Sequence, residues 1–192
     1  MKSSRRGQHG KTDGSYASNN PRLSAFMVLT LGSGEKDDVP GRGPRATGRP
    51  LPAAVLAVSP WFDTELKNPT VDCNADTDKL LSRSLLEFFR DCWLGGTGVA
   101  YDDPGVNPLY AELAGLPPVS VYYGEHELLA GEAIEFADRA KGEALDVSLH
   151  AVAEGQHSFI LGAGRVPEAD QAIAEMGRWL RSKLGLAVLA DT

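Results

Sequence analysis

Residues 53–59 read Ala-Ala-Val-Leu-Ala-Val-Ser, an apolar run with no polar face until its last residue. A strand with one face in water alternates apolar and polar side chains. A continuous run therefore predicts a strand covered on both faces, as in a parallel sheet lying between helices. Ser59-Pro60-Trp61 ends the run, and a loop follows through Asn74. A helix is expected within residues 78–94, where Leu81, Leu85, Phe88, Phe89 and Cys92 form an apolar stripe and Gly95-Gly96 makes the stop. Ser84 with Glu87 has capping-box spacing, and Ser82 competes as the cap. Pro117-Pro118 introduces a second strand over 119–123, closed by Gly124. Residues 132–141 are helical up to Gly142, and residues 146–152 alternate like a third strand. Pro167 opens a last helix over 169–184, amphipathic through Ile173, Met176, Leu180 and Leu184. Strand and helix thus alternate, and right-handed crossovers turn that order into an α/β fold: parallel strands with covering helices.

The first fifty residues are a different kind of sequence. Residues 1–22 and 32–50 are rich in Gly, Ser, Pro, Asn, Arg and Lys without apolar periodicity, which predicts a largely disordered segment. Residues 1–50 hold nine Lys and Arg against four Asp and Glu, and the remainder holds ten against twenty-two. The expected organisation is an unrelated segment over 1–50 and a folded part over 51–186. Residues 23–31 (LSAFMVLTL) are a possible strand with no obvious partner. They imitate a short signal core, but the polar leader is long and no A-x-A site follows. Arg5-Arg6 has no nearby apolar run to make an export signal. No stretch approaches the ~20 apolar residues of a membrane anchor, so the cytoplasm is the expected location. A net charge of −7 weighs against nucleic-acid and anionic-membrane partners. Cys73 and Cys92 lack metal-site spacing and read as reduced, partly buried thiols. Neither G-x-G-x-x-G nor a Walker motif is present, and no cofactor is expected.

In parallel sheets chemistry gathers at the carboxyl ends of the strands. Two titratable residues fall there. Glu127 lies in Gly124-Glu125-His126-Glu127-Leu128-Leu129, on the turn from the second strand into a helix. A carboxylate so placed either orients a histidine by accepting its ring N–H or is a helix-start acid favoured by the macrodipole. His157 lies in Glu154-Gly155-Gln156-His157-Ser158-Phe159, just after the third strand. Acid then histidine, with a helix between them, matches the chain order of the second and third triad members in an α/β-hydrolase. His150 within a strand and His126 beside Glu127 read as structural or solvent-facing, and His9 lies in the polar head.

Residues 49–184 resemble the C-terminal half of the α/β-hydrolase fold-3 family, the hormone-sensitive-lipase-type esterases and lipases. The segments that carry the resemblance are LPAAVLAVSPWFD at 51–63, NPL at 107–109 with LPP at 116–118, and the two segments around Glu127 and His157. The resemblance implies carboxylic-ester hydrolysis of small acyl esters without a cofactor, with Glu127 as triad acid and His157 as base. The family's acid is usually Asp. A second acid often found a few residues later is Gly131 here, and Asn107 stands where the family more often has Ser.

The larger departure concerns the nucleophile. The family's elbow, G-x-S-x-G, and its H-G-G-G-type oxyanion loop occur nowhere in the 192 residues. Leu31-Gly32-Ser33-Gly34-Glu35 is the nearest imitation, but Leu31 and Glu35 stand where the elbow needs glycines. Cys73 and Cys92 are not at a strand-to-helix turn either. An acid and a histidine without a hydroxyl to activate cannot run acyl transfer, so the chain alone is expected to be inactive. The alternative is a non-catalytic truncated paralogue, or a disrupted-gene product, acting if at all as an interaction module. Without the family's first half, the strand at 53–59 is expected to leave one apolar edge open to self-association or partner pairing.

Overall fold

The computed structural model describes residues 28–30 and 51–187. Its elements are β1 (Val28–Thr30), β2 (Val55–Val58), α1 (Thr70–Cys73), α2 (Arg83–Leu94), β3 (Val119–Gly124), α3 (Ala130–Gly142), β4 (Val147–Val152) and α4 (Pro167–Lys183). The expectations for the rest of residues 1–50, with His9 and Ser33, lie outside the described residues.

β2, β3 and β4 form a parallel sheet in that order, Val55 facing Val119 and Val119 facing Val147. The apolar run is needed because alternate residues feed two separate cores. Ala57, Val119, Val121 and Tyr123 join Ala130, Ala133, Phe136 and Ala140 of α3 on one face. Leu56, Val58, Tyr122 and Val152 meet Ala169, Ala172 and Met176 of α4 on the other. Alanines let α3 approach the sheet closely, and the Phe136 ring stacks on Phe62 at 4.1 Å. Such a pair adds roughly 0.5–1.5 kcal/mol beyond the area it buries. A third cluster, containing Trp61, Leu66, Val71, Leu81, Leu86, Leu128 and Leu129, packs the long β2–β3 connection against the turn that follows β3.

Several expectations change. The residues 23–31 strand finds a partner over part of its length, since β1 pairs antiparallel with β2 from Val28–Ala57 to Thr30–Val55. The β2 edge expected to be open is therefore occupied there. Helix α2 buries Leu86 and Leu94, whereas Phe88 is 60 % exposed and Cys92 is also on the outside. The pattern placed the stripe correctly at Leu81, Leu85 and Phe89, but the helix meets only a loop layer and leaves part of its apolar side uncovered. Cys73 is likewise exposed rather than partly buried. In α4 the buried positions are Ala169, Ala172 and Met176, while Ile173 and Leu184 are each 39 % exposed. Met176 and Leu180 of the expected stripe do pack toward the sheet, where Ala169 and Ala172 join them. Ser82, not Ser84, caps α2: its Oγ accepts the Leu85 N–H at 3.2 Å. No described helix is long and apolar enough to cross a membrane.

Candidate active site

The ends of β3 and β4 are pressed together by two glycines. A Cβ built on Gly124 would collide with the Gly155 carbonyl, and one on Gly155 would approach the Gly124 Cα to 2.9 Å. That proximity lets the β4 exit turn bond to the β3 exit turn: Glu125 N–H donates to Val152 O at 3.1 Å, and His126 N–H to Gly155 O at 3.0 Å. Glu127 and His157 are carried by these two coupled turns.

The acid-bearing turn is further fixed from the side by residues 70–78. Asn74 Nδ2 donates to Glu127 O at 2.8 Å, and Thr77 Oγ1 to His126 O at 3.1 Å. Thr70 Oγ1 donates to Leu128 O at 2.7 Å and accepts the Gly131 N–H at 3.0 Å. Asp78 is buried, and its carboxylate accepts the N–H groups of Leu80, Leu81 and Leu128, each at 2.9 Å. Leu128 and Leu129, at 0 % and 1 % exposed, anchor the same turn in the third core. Gly131 fits because the Asn68 and Thr70 side chains fill the space where its Cβ would lie.

Below this layer Glu132, wholly buried on α3, accepts the Phe62 N–H at 2.5 Å and the Asp63 N–H at 3.3 Å. Asp63 in turn accepts from Glu65 N–H, Lys67 N–H and Asn107 Nδ2 at 2.9, 2.7 and 3.1 Å. Asn107 is also buried and spans to Tyr101 O at 3.1 Å. Burial drives the Glu132 carboxyl well above the ordinary range, with Asp63 adding to the rise and the two amides opposing it. These groups organise the loop that leaves β2 at Ser59.

On the opposite turn His157 is 3 % exposed and Glu127 0 %. Imidazole Nδ1 lies 3.5 Å from Glu127 Oε2. Burial raises the Glu127 carboxyl, while contacts with His157 and then Ser59 pull it down and Asp78 adds a smaller upward push. The separation is long for a charge-assisted bond, as catalytic contacts often are without substrate. Glu127 is thus buried beside the imidazole and not in solvent. The other described histidines stay apart from this pair: His150 stacks on Tyr122 at 4.3 Å within the sheet, and His126 gives its backbone to the turn. Cys73 and Cys92 are on exposed helical positions. Among the described residues no group of three or more His, Cys, Asp or Glu is placed to hold a metal ion.

Ser59, Thr70, Asn74, Asp78 and Glu132 are the contributors that motif reasoning missed. Their partners lie many residues away, so no local spacing marks them. The one available signal was the position of Ser59 at the end of the apolar run.

An imidazole whose Nδ1–H is given to a carboxylate presents Nε2 as its proton acceptor. An acid after one strand and a histidine after the next, on a helix-covered parallel sheet, follow the chain order of the α/β-hydrolase class. Residues 28–161 match the family described as alpha/beta hydrolase fold. The chain belongs to the α/β-hydrolase fold-3 family. It is 31 % identical over 134 residues to an esterase of Acinetobacter venetianus, covering 69 % of this chain and 43 % of that protein. It is 28 % identical over 141 residues to an acetyl-hydrolase of Streptomyces hygroscopicus, covering 73 % and 46 %. Among solved structures, an esterase from the bacterial hormone-sensitive lipase family superposes with a TM-score of 0.71 at 35 % identity, over 74 % of this chain and 47 % of that one. The chain thus spans a little under half the length of these relatives.

Proposed function

We propose that Glu127 and His157 are the acid and base of a carboxylic-ester hydrolase triad acting on small acyl esters, and that residues 1–192 do not turn esters over alone. The observation that carries the reading is the buried Nδ1–Oε2 contact of 3.5 Å between the two turns. Glu127 fixes the tautomer and stabilises the imidazolium. Nε2 then removes the proton of a serine hydroxyl as its oxygen attacks the ester carbonyl, and returns it to the departing alcohol. Water, deprotonated by the same nitrogen, releases the acid. No G-x-S-x-G occurs in the sequence, so the hydroxyl has to come from another polypeptide segment. The esterase and acetyl-hydrolase relatives support the substrate class.

The test has two arms. The chain alone, given p-nitrophenyl butyrate, is expected to show no turnover that His157→Ala removes. Residues 51–186 grafted in place of the matching half of a fold-3 esterase are expected to give a hydrolase that needs both Glu127 and His157. Turnover by the chain alone that depends on His157 overturns the inactivity. A folded graft indifferent to His157→Ala overturns the acid–base assignment.

A further inference from the structure

Ser59 is fully buried where β2 ends, in the left-handed backbone region at φ 46°. Its own N–H is bonded to Tyr122 O at 2.8 Å, which fixes the residue against β3. Across ninety-nine residues of sequence its Oγ accepts the Ser158 N–H at 2.9 Å. Ser158 is the neighbour of His157 and is itself left-handed at φ 55°. Left-handed non-glycine residues persist only where surrounding contacts hold them. Two such residues tied by one hydrogen bond, beside a buried imidazole, are a device for fixing that imidazole.

A hydroxyl has one proton to donate as well as lone pairs to accept with. In accepting from Ser158 the Ser59 hydroxyl uses one lone pair, and Ser59 is also among the influences that hold the Glu127 carboxyl down.

We propose that Ser59 is a positioning residue that sets the His157 ring against Glu127 by clamping the Ser158 amide. The proposal rests on the acid–base reading of the pair, and its test separates the two. In the full chain with labelled histidine, the ring Nδ1–H of His157 is followed by NMR together with exchange of the Ser158 amide. Wild type is expected to show a downfield Nδ1–H signal that Glu127→Gln removes. Ser59→Ala is expected to speed Ser158 exchange about tenfold, the effect of one lost hydrogen bond, and to move or broaden the Nδ1–H signal. Ser59→Gly, which relieves the left-handed backbone but also lacks the hydroxyl, is expected to show the same spectral loss. Unchanged Ser158 exchange and ring signal in both Ser59→Ala and Ser59→Gly overturn the role of Ser59. Recovery of the wild-type signal in Ser59→Gly overturns it too, by assigning the effect to backbone strain. A ring signal indifferent to Glu127→Gln overturns the pair itself, whatever Ser158 exchange shows.

Discussion

The carbonyl of Gly155 occupies the space in which a side chain on Gly124 would begin. This contact brings the two strand-end turns close enough for Glu125 and His126 to bond to the β4 exit, and so it sets the distance between Glu127 and His157. Gly124→Ala has to push the turns apart. It is expected to cost roughly 1–3 kcal/mol, the usual range for overpacking a tight site, read as a lower urea midpoint. Gly142→Ala, where nothing lies within 4 Å of the new Cβ, serves as the control and is expected to be neutral or slightly stabilising.

Glu132 gives a pH dependence of definite sign. Its carboxyl, like that of Glu127, is raised by burial in the folded chain. Above the unfolded carboxyl range the folded state therefore holds more protons than the unfolded state, and stability falls as pH rises toward and through the folded values. Stability measured by urea melts is expected to be higher in mild acid than at neutral pH. Glu132→Gln is expected to flatten part of that decline. A stability that rises steadily from mild acid to neutral pH contradicts the assignment.

Asp78 is itself buried and accepts three backbone amides. Asp78→Ala leaves them without that acceptor and is expected to cost about 1–3 kcal/mol. Amide exchange at Leu128 should accelerate with it, because that bond joins the Asp78 segment to the acid turn.

In the grafted hydrolase, Glu127→Gln keeps the shape of the side chain but loses the charge that stabilises the imidazolium. The expected loss in kcat is on the order of 10⁴-fold, the scale seen when a triad acid becomes an amide. KM should change far less, since Glu127 does not touch the ester.

At the start of α2, Ser82→Ala is expected to cost about 1 kcal/mol by removing the cap, and Ser84→Ala much less. Comparing the two thermal midpoints checks which serine does the capping.

Much of this architecture was legible because burial on both faces leaves a simple mark. Residues 53–59 could only be an inner strand, and the short turns after 124 and 152 carried the acid and base to one rim. Patterning was less reliable for helix faces. Phe88 and Ile173 fit an apolar stripe, yet α2 meets a loop layer and α4 meets the sheet through Ala169, Ala172 and Met176. The partner surface selects which apolar residues are covered, and that surface is not written in the helix itself.

Sequence by itself determined the strand–helix order and the family, and it placed Glu127 and His157 just after two strand ends, because those depend on local pattern and short motifs. It also determined that no G-x-S-x-G lies within these residues. Only the tertiary structure decided that the two side chains meet, that Gly124 and Gly155 bring their turns into contact, and that β1 covers part of the β2 edge. It likewise decided that Ser59, Asp78 and Glu132 serve the site. Each of these is a contact between segments far apart in the chain, made by hydrogen bonds and close packing whose partners are adjacent only once the sheet has formed.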